Sequence, residues 1–240
     1  MYSISNIIKD ISHRPYQLPS GRWRYYQEWN HAIFLHYKIP LERLRPLVPA
    51  KLPIDLFDGD CYVSVVPFTM QKIRPRFFPA LNPISDFHEI NVRTYINHDG
   101  KQGVYFLNIE AGKTVSAFVA RALSGLPYEK STTKRTVNAY YSVNSPKDFS
   151  LDVVFRTGAE IRDKTPLDRW LTERYCLFLQ SNNGTFRYDI HHKEWQLRSI
   201  EINKLICNYQ LGNLNLSELS PDKIHYSDGV KVLAWKKVKL

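Results

Sequence analysis

The chain has 240 residues, 43% apolar, 13% aromatic and 23% charged, a balance that excludes a disordered polypeptide. No apolar run approaches the roughly 18 residues of a membrane-spanning helix, and the length suits one domain, taken as 1–240, whose core needs no staples. Lys and Arg number 33 against 23 Asp and Glu, a formal +10 spread along the sequence, so specific nucleic-acid binding is not expected.

Three cysteines, Cys61, Cys176 and Cys207, lie far apart and form no C-x-x-C pair. An odd, scattered set argues against a disulfide framework and against a zinc or redox motif. The opening MYSISNIIKDISHRP lacks the basic and apolar regions of a secretory signal, so a cytoplasmic protein is expected. No metal, cofactor or membrane partner is expected, and a homo-oligomer is left open.

In chain order, β-branched and aromatic residues between turn signals predict strands over 32–39, 61–68, 87–96, 103–109, 137–143, 151–156, 177–179, 185–191, 197–202 and 230–238. Asp99-Gly100 and Asn182-Asn183-Gly184 are hairpin turns, because these residues accept positive φ. A short helix over 41–47 follows Pro40. A second, over 113–124, carries Val115, Phe118, Val119 and Ala122 on one stripe and stops at Gly125 and Pro127. A third begins at Thr165-Pro166-Leu167-Asp168, with stripe Leu167, Trp170, Leu171 and Arg174; Thr caps, Pro fits the first turn and Asp favours the positive end. The fold class is strand-rich α+β, with a barrel or strongly curved sheet.

The strand over 87–96 is the most informative. His88, Ile90, Val92, Thr94 and Ile96 suit a packed core, whereas Phe87, Glu89, Asn91, Arg93 and Tyr95 share the other face. A two-residue turn at Asp99-Gly100 sets Tyr95 opposite Val104, Arg93 opposite Phe106, Asn91 opposite Asn108 and Glu89 opposite Glu110. Like charges directly opposed destabilise a ladder, which requires a bulge, an intervening cation such as Arg93 or Arg121, or a carboxyl of raised pKa. A face of one Arg, two Asn, two carboxyls and aromatics fits the lining of a partly enclosed cavity. A buried ion-pair network that fixes register is the alternative.

Other ionisable groups carry less. His191 and His192 are neighbours on a strand, point to opposite faces and do not share a metal. Glu173-Arg174-Tyr175 reads as a helix anchor and Cys176 as a core residue. No G-x-S-x-G, P-loop or G-x-G-x-x-G occurs.

The strings HRPY-x-LP-x-GRW, EWN-x-x-IFLHYKIP, LRPLVP, LFDGD-x-YVSVVPF-x-M and IRPR-x-x-P run in order through the first third. FHEINVRTYI, DGK-x-GVYFL, AR-x-x-x-x-LPY, LTERYCLF, HHKEWQLR and VLAW continue to Trp235. The whole resembles the YqjF-like family of uncharacterised bacterial proteins, within the acetoacetate decarboxylase-like superfamily. That resemblance implies a closed, cone-like β-barrel with a few marginal helices around a small apolar cavity. It also implies where a reaction centre lies. Acetoacetate decarboxylase carries adjacent lysines just after a Gly-aromatic-Pro turn; one forms a Schiff base and the other lowers its pKa.

Aligning Pro127 with that proline sets Tyr128 and Glu129 at the two lysine positions, with Lys130 out of register. A phenol forms no imine and a carboxylate does not lower a lysine's pKa, so Schiff-base decarboxylation is not expected. The pocket is expected to keep Glu89 and Tyr128 as catalytic groups. Arg93, Arg121, Asn91, Phe106 (or Tyr105) and Trp195 are expected as its ligand-binding wall. Arg93 would hold a carboxylate, Tyr128 would donate to a carbonyl or enolate oxygen, and Glu89 would serve as a base. The expected partner is a small keto acid or other carboxylate, and the expected reaction, if any, is lyase- or isomerase-like. A non-catalytic ligand-binding protein, or a basic protein for nucleic acid or an acidic partner, are the alternatives.

Overall fold

A computed structural model describes residues 4–81, 85–112, 128–181 and 183–240. The strands are β1 (Tyr25–Ile39), β2 (Cys61–Pro75), β3 (Phe87–His98), β4 (Lys101–Ala111), β5 (Glu129–Lys130), β6 (Thr132–Arg135), β7 (Ala139–Asn144) and β8 (Phe149–Glu160). They continue as β9 (Cys176–Ser181), β10 (Gly184–His191), β11 (Arg198–Asn208), β12 (Gln210–Leu211), β13 (Leu214–Asn215), β14 (Lys223–Ala234) and β15 (Val238–Lys239). Helices among the described residues are short: α1 (Ile4–Lys9), α2 (Leu41–Leu44) and α3 (Pro166–Thr172).

Strands β10, β9, β4, β3, β2, β1 and β14 are successive neighbours, and β10 also pairs with β14 through Ile190–Ala234 and His191–Leu233. These seven strands therefore close a ring. From β14 the sheet continues through β11, β8, β7 and β6, while β5 adds to β4.

The two faces of the ring are packed differently. All seven strands send side chains into one cluster, among them Phe34, Val66, Phe87, Ile109, Leu179, Ile190 and Val232, which marks it as the ring's interior. The opposite faces of β1, β2 and β3 send Ile33, Leu35, Val65, Ile90 and Val92 against Leu151, Val153 and Phe155 of β8. Strands buried on both faces need near-continuous apolar sequence, and Cys61–Phe68 has it. β11 is covered on one face only, and its burial alternates along Arg198–Asn203.

Local chemistry explains the turns and caps. Asp99 and Gly100 adopt φ of 52° and 71°, the paired positive values of a type I′ hairpin. Thr165 accepts from the Asp168 amide while the Asp168 carboxylate accepts from the Thr165 amide, a complete capping box at the start of α3.

Several expectations are corrected. The strand expected over 230–238 ends at Ala234, and β14 begins earlier, at Lys223. β1 starts at Tyr25, and α1 lies in a segment with no predicted element. The helix expected over 113–124, with Arg121, lies outside the described residues. The expected register holds near the turn, with Tyr95 opposite Val104 and Arg93 opposite Phe106, and then slips by one. Leu107 is an extra residue, so Val92 faces Asn108, Glu89 faces Ala111 and Ile90 faces Glu110. The bulge removes the direct Glu89–Glu110 opposition by moving the two carboxyls to different faces.

Candidate functional site

On the ring's interior face, β3 aligns Glu89, Asn91 and Arg93. The register sets them beside Phe68, Val66 and Ser64 of β2. Phe34 stacks under the Arg93 guanidinium at 5.6 Å, and Phe106 of β4 lies across from Arg93. Trp195, on the loop after β10, meets Phe34 edge-on at 5.1 Å. With Arg174, Thr172 and His192 these residues wall a cavity of about 40 Å³, room for a few waters or one very small organic acid.

Glu89, Asn91, Arg93, Phe106 and Trp195 thus line one space, and Tyr128 stands behind it, donating to Glu89 Oε2 at 2.9 Å. Tyr105 packs on the ring's outer core instead. Arg174 anchors its helix as expected and does more. It donates from Nη1 to Asp55 at 2.5 Å and from Nε to the Trp170 carbonyl at 2.6 Å, yet it also lines the cavity. An arginine on an otherwise apolar helical stripe was the available signal.

Burial sets the electrostatics. It raises the Glu89 carboxyl to about 8, against the opposing hydrogen bonds from Tyr128 and Asn91. It lowers both guanidiniums, and Arg174 further disfavours the charge on Arg93. His192 falls to about 3 and is neutral, its Nδ1 donating to the Lys193 carbonyl at 2.7 Å. The adjacent His191 turns away, bonding the Ile7 carbonyl and Arg14.

Three polar atoms of the lining are buried without a partner: Arg93 Nε, Asn91 Oδ1 and Arg174 Nη2. Arg93 makes no ion pair with any described carboxylate, although it is only 8% exposed. A buried cation without a counter-ion is costly and is commonly completed by an anion. Two donors and an acceptor around a small apolar-walled space can hold a carboxylate and orient an adjoining carbonyl.

Beneath Arg93 a buried polar chain runs toward the surface, and sequence reading missed it. Ser64 Oγ meets Tyr95 Oη at 2.6 Å and His36 Nδ1 at 2.7 Å. His36 Nε2 meets His225 Nδ1 at 3.3 Å, and His225 Nε2 meets Asp168 Oδ1 at 3.0 Å. Lys223 closes the chain on Asp168 at 2.8 Å. Its members span β1, β2, β3, α3 and β14, and no local spacing links them.

On the other face of the sheet, Glu110 is also raised, to about 7, by burial. Its Oε1 accepts from Asn108 at 2.8 Å.

A family model described as an uncharacterized conserved protein, DUF2071, matches residues 26–231. The chain is 31% identical over 226 residues to the uncharacterized protein YqjF of Bacillus subtilis (strain 168), covering 91% of this chain and 93% of that protein. Among solved structures, an acetoacetate decarboxylase superposes with a TM-score of 0.62 at 15% identity, over 100% of this chain and 98% of the other. The enduracididine biosynthesis enzyme MppR in complex with pyruvate gives a TM-score of 0.56 at 11% identity, over 94% and 93% of the two chains. At such identities the likeness is one of fold alone. The chain belongs to the DUF2071 family of uncharacterised conserved proteins, is YqjF-like, and has the acetoacetate decarboxylase-like fold.

Proposed function

We propose that the cavity takes a small oxo acid, with its carboxylate at Arg93 and Arg174 and its reacting carbon toward Glu89, in a cytoplasmic protein with no sequence-specific affinity for nucleic acid. The single observation behind this reading is Arg93: a buried guanidinium with an unpartnered Nε and no carboxylate among the described residues. A carboxylate supplies the missing charge and accepts from the fork in two directions. The pyruvate complex of MppR gives independent support that this fold accommodates a molecule of that size and class.

The chemistry follows from the proton on Glu89. With its pKa raised to about 8, the carboxyl is mostly neutral at pH 7. It can protonate an enolate carbon, and its conjugate base, held by the Tyr128 hydroxyl, can remove a proton from the next molecule. Acid and base are then one group, poised near neutrality. Arg93 and Arg174 lie where they would stabilise the negative charge that spreads onto an enolate oxygen. The described lining contains no lysine, so this scheme needs no imine.

The test is proton exchange. Pyruvate incubated with the protein in heavy water is expected to exchange its methyl protons, read by proton NMR. Glu89→Gln should abolish exchange while leaving pyruvate binding intact, and Arg93→Gln should abolish both. Binding without exchange would assign the protein to passive ligand binding. Binding unchanged in Arg93→Gln would overturn the site.

A further inference from the structure

We propose that the rim formed by the ends of β1, β2 and β14 docks on an anionic lipid surface. The rim is built by adjoining chain segments: the Arg24 amide donates to the Ala234 carbonyl at 2.7 Å, and the Arg76 amide donates to the Arg24 carbonyl at 2.8 Å. Just beyond Arg76 the chain turns, and Arg74 Nη1 donates to the Arg76 carbonyl at 3.2 Å, holding the turn. At its tip Phe77 and Phe78 are 79% and 66% exposed, with Leu81 at 58% close behind. Of these adjacent, protruding rings Phe77 is touched by the Arg76 guanidinium at 5.3 Å, and both remain mostly exposed.

The charge beside the tip is equally one-sided. Several surface cations elsewhere meet carboxylates, as in Lys38–Asp60, Lys147–Glu129, Arg156–Glu201 and Lys204–Asp152, all at 2.6 Å. Around the rim, Arg22, Arg24, Lys236 and Lys237 line one groove and make no ion pair with a described carboxylate. Lys237 leans over the Phe186 ring at 4.8 Å, and the neighbouring Arg76 and Arg74 lie over Trp23 at 4.9 Å and Tyr26 at 4.8 Å. The groove's carboxylate, Asp189, is already held by Arg187. Four cations without a carboxylate partner therefore share this one groove beside the aromatic tip.

A partner for this surface has to supply dispersed negative charge and an apolar layer a ring can enter, side by side. An anionic bilayer does both: headgroups meet the lysines and arginines, and the Phe77-Phe78 tip reaches the acyl boundary. No helix among the described residues is long and apolar enough to cross a membrane, so the mode is surface attachment by a loop and a basic rim. This assignment is independent of what the cavity binds.

Co-sedimentation of the full chain with phosphatidylcholine vesicles, with and without phosphatidylglycerol, tests it. Binding is expected only with phosphatidylglycerol and is expected to weaken as salt rises. Phe77→Ser/Phe78→Ser and Lys236→Glu/Lys237→Glu should each weaken it about tenfold or more; all four side chains are exposed, so folding is undisturbed, which circular dichroism checks. Three results would overturn the proposal: no binding to phosphatidylglycerol vesicles; binding indifferent to both double variants; or, without vesicle binding, Phe-dependent self-association or capture of a single-stranded oligonucleotide.

Discussion

The Tyr128 hydroxyl donates to Glu89 Oε2 at 2.9 Å across 39 residues of chain, and both groups are buried. Burial has raised the Glu89 pKa from 4.5 to about 8, so the folded protein holds this proton more tightly than the unfolded chain does. The contribution of Glu89 to stability is therefore complete below about pH 4.5 and is lost as pH rises toward 8. Glu89→Gln fixes the neutral form. Its melting temperature is expected to match the parent near pH 4 and to exceed it by about 10 °C at pH 9. Equal melting temperatures at both pH values would show that Glu89 is not desolvated.

Arg93 leads to a prediction in which stability and function part. Its guanidinium is buried with Phe34 beneath it, repelled by Arg174, and unpaired with any described carboxylate. Replacing an unpaired buried charge by an apolar side chain of similar bulk is stabilising by about 1–3 kcal/mol. Arg93→Leu is expected to unfold at higher denaturant and to lose oxo-acid binding. A destabilised Arg93→Leu would show that the guanidinium is satisfied in the folded protein.

Much of this was readable in β3 alone. The even spacing of Glu89, Asn91 and Arg93 sets them on one face, because side chains alternate along a strand. The conflict between Glu89 and Glu110 was also visible, but its resolution was not. A bulge, a bridging cation and a shifted pKa answer the same clash, and period-2 logic does not say which strand carries an extra residue. The molecule uses the bulge at Leu107, and burial, not mutual repulsion, raises the pKa of each carboxyl. Arg174 and the His36–His225–Asp168 chain were not legible as parts of one assembly. Their neighbours are set by ring closure between strands up to 189 residues apart, a tertiary fact with no local spacing.

The absence of lysine from the described lining makes a chemical prediction. The expected alignment sets Tyr128 and Glu129, not lysines, at the positions a Schiff-base route would use; Lys130 is exposed at the end of β5, and an imine needs a primary amine at the bound carbonyl. Acetoacetate with borohydride is expected to leave the mass of the protein unchanged, and no carbon dioxide should be released. An adduct on Lys130 that disappears in Lys130→Ala would move the reaction centre two residues along the chain and restore the Schiff-base route.

Asp168 ties the buried polar chain to the helix that caps it. Burial disfavours its charge, but hydrogen bonds from Lys223 and Thr165 and the His225 ring beside it win, holding the carboxyl well below the usual range. As an acceptor for His225 Nε2 it sets the direction of the chain: His225 Nδ1 then accepts from His36 Nε2, and His36 Nδ1 accepts from Ser64. Asp168→Asn breaks the Lys223 ion pair and turns an amide, a donor, toward Lys223 or His225, with an expected cost of about 2–4 kcal/mol. Thr165→Ala removes the cap bond and leaves the chain intact, and should cost about 1 kcal/mol. A depressed carboxyl contributes stability above its unfolded pKa of 3.8 and loses it as pH falls further, so the gap between Asp168→Asn and the parent should narrow below that pH. Denaturant melts at pH 7 and at successively lower pH measure it, and a gap that widens in acid would mean Asp168 is not the ionised anchor of the chain.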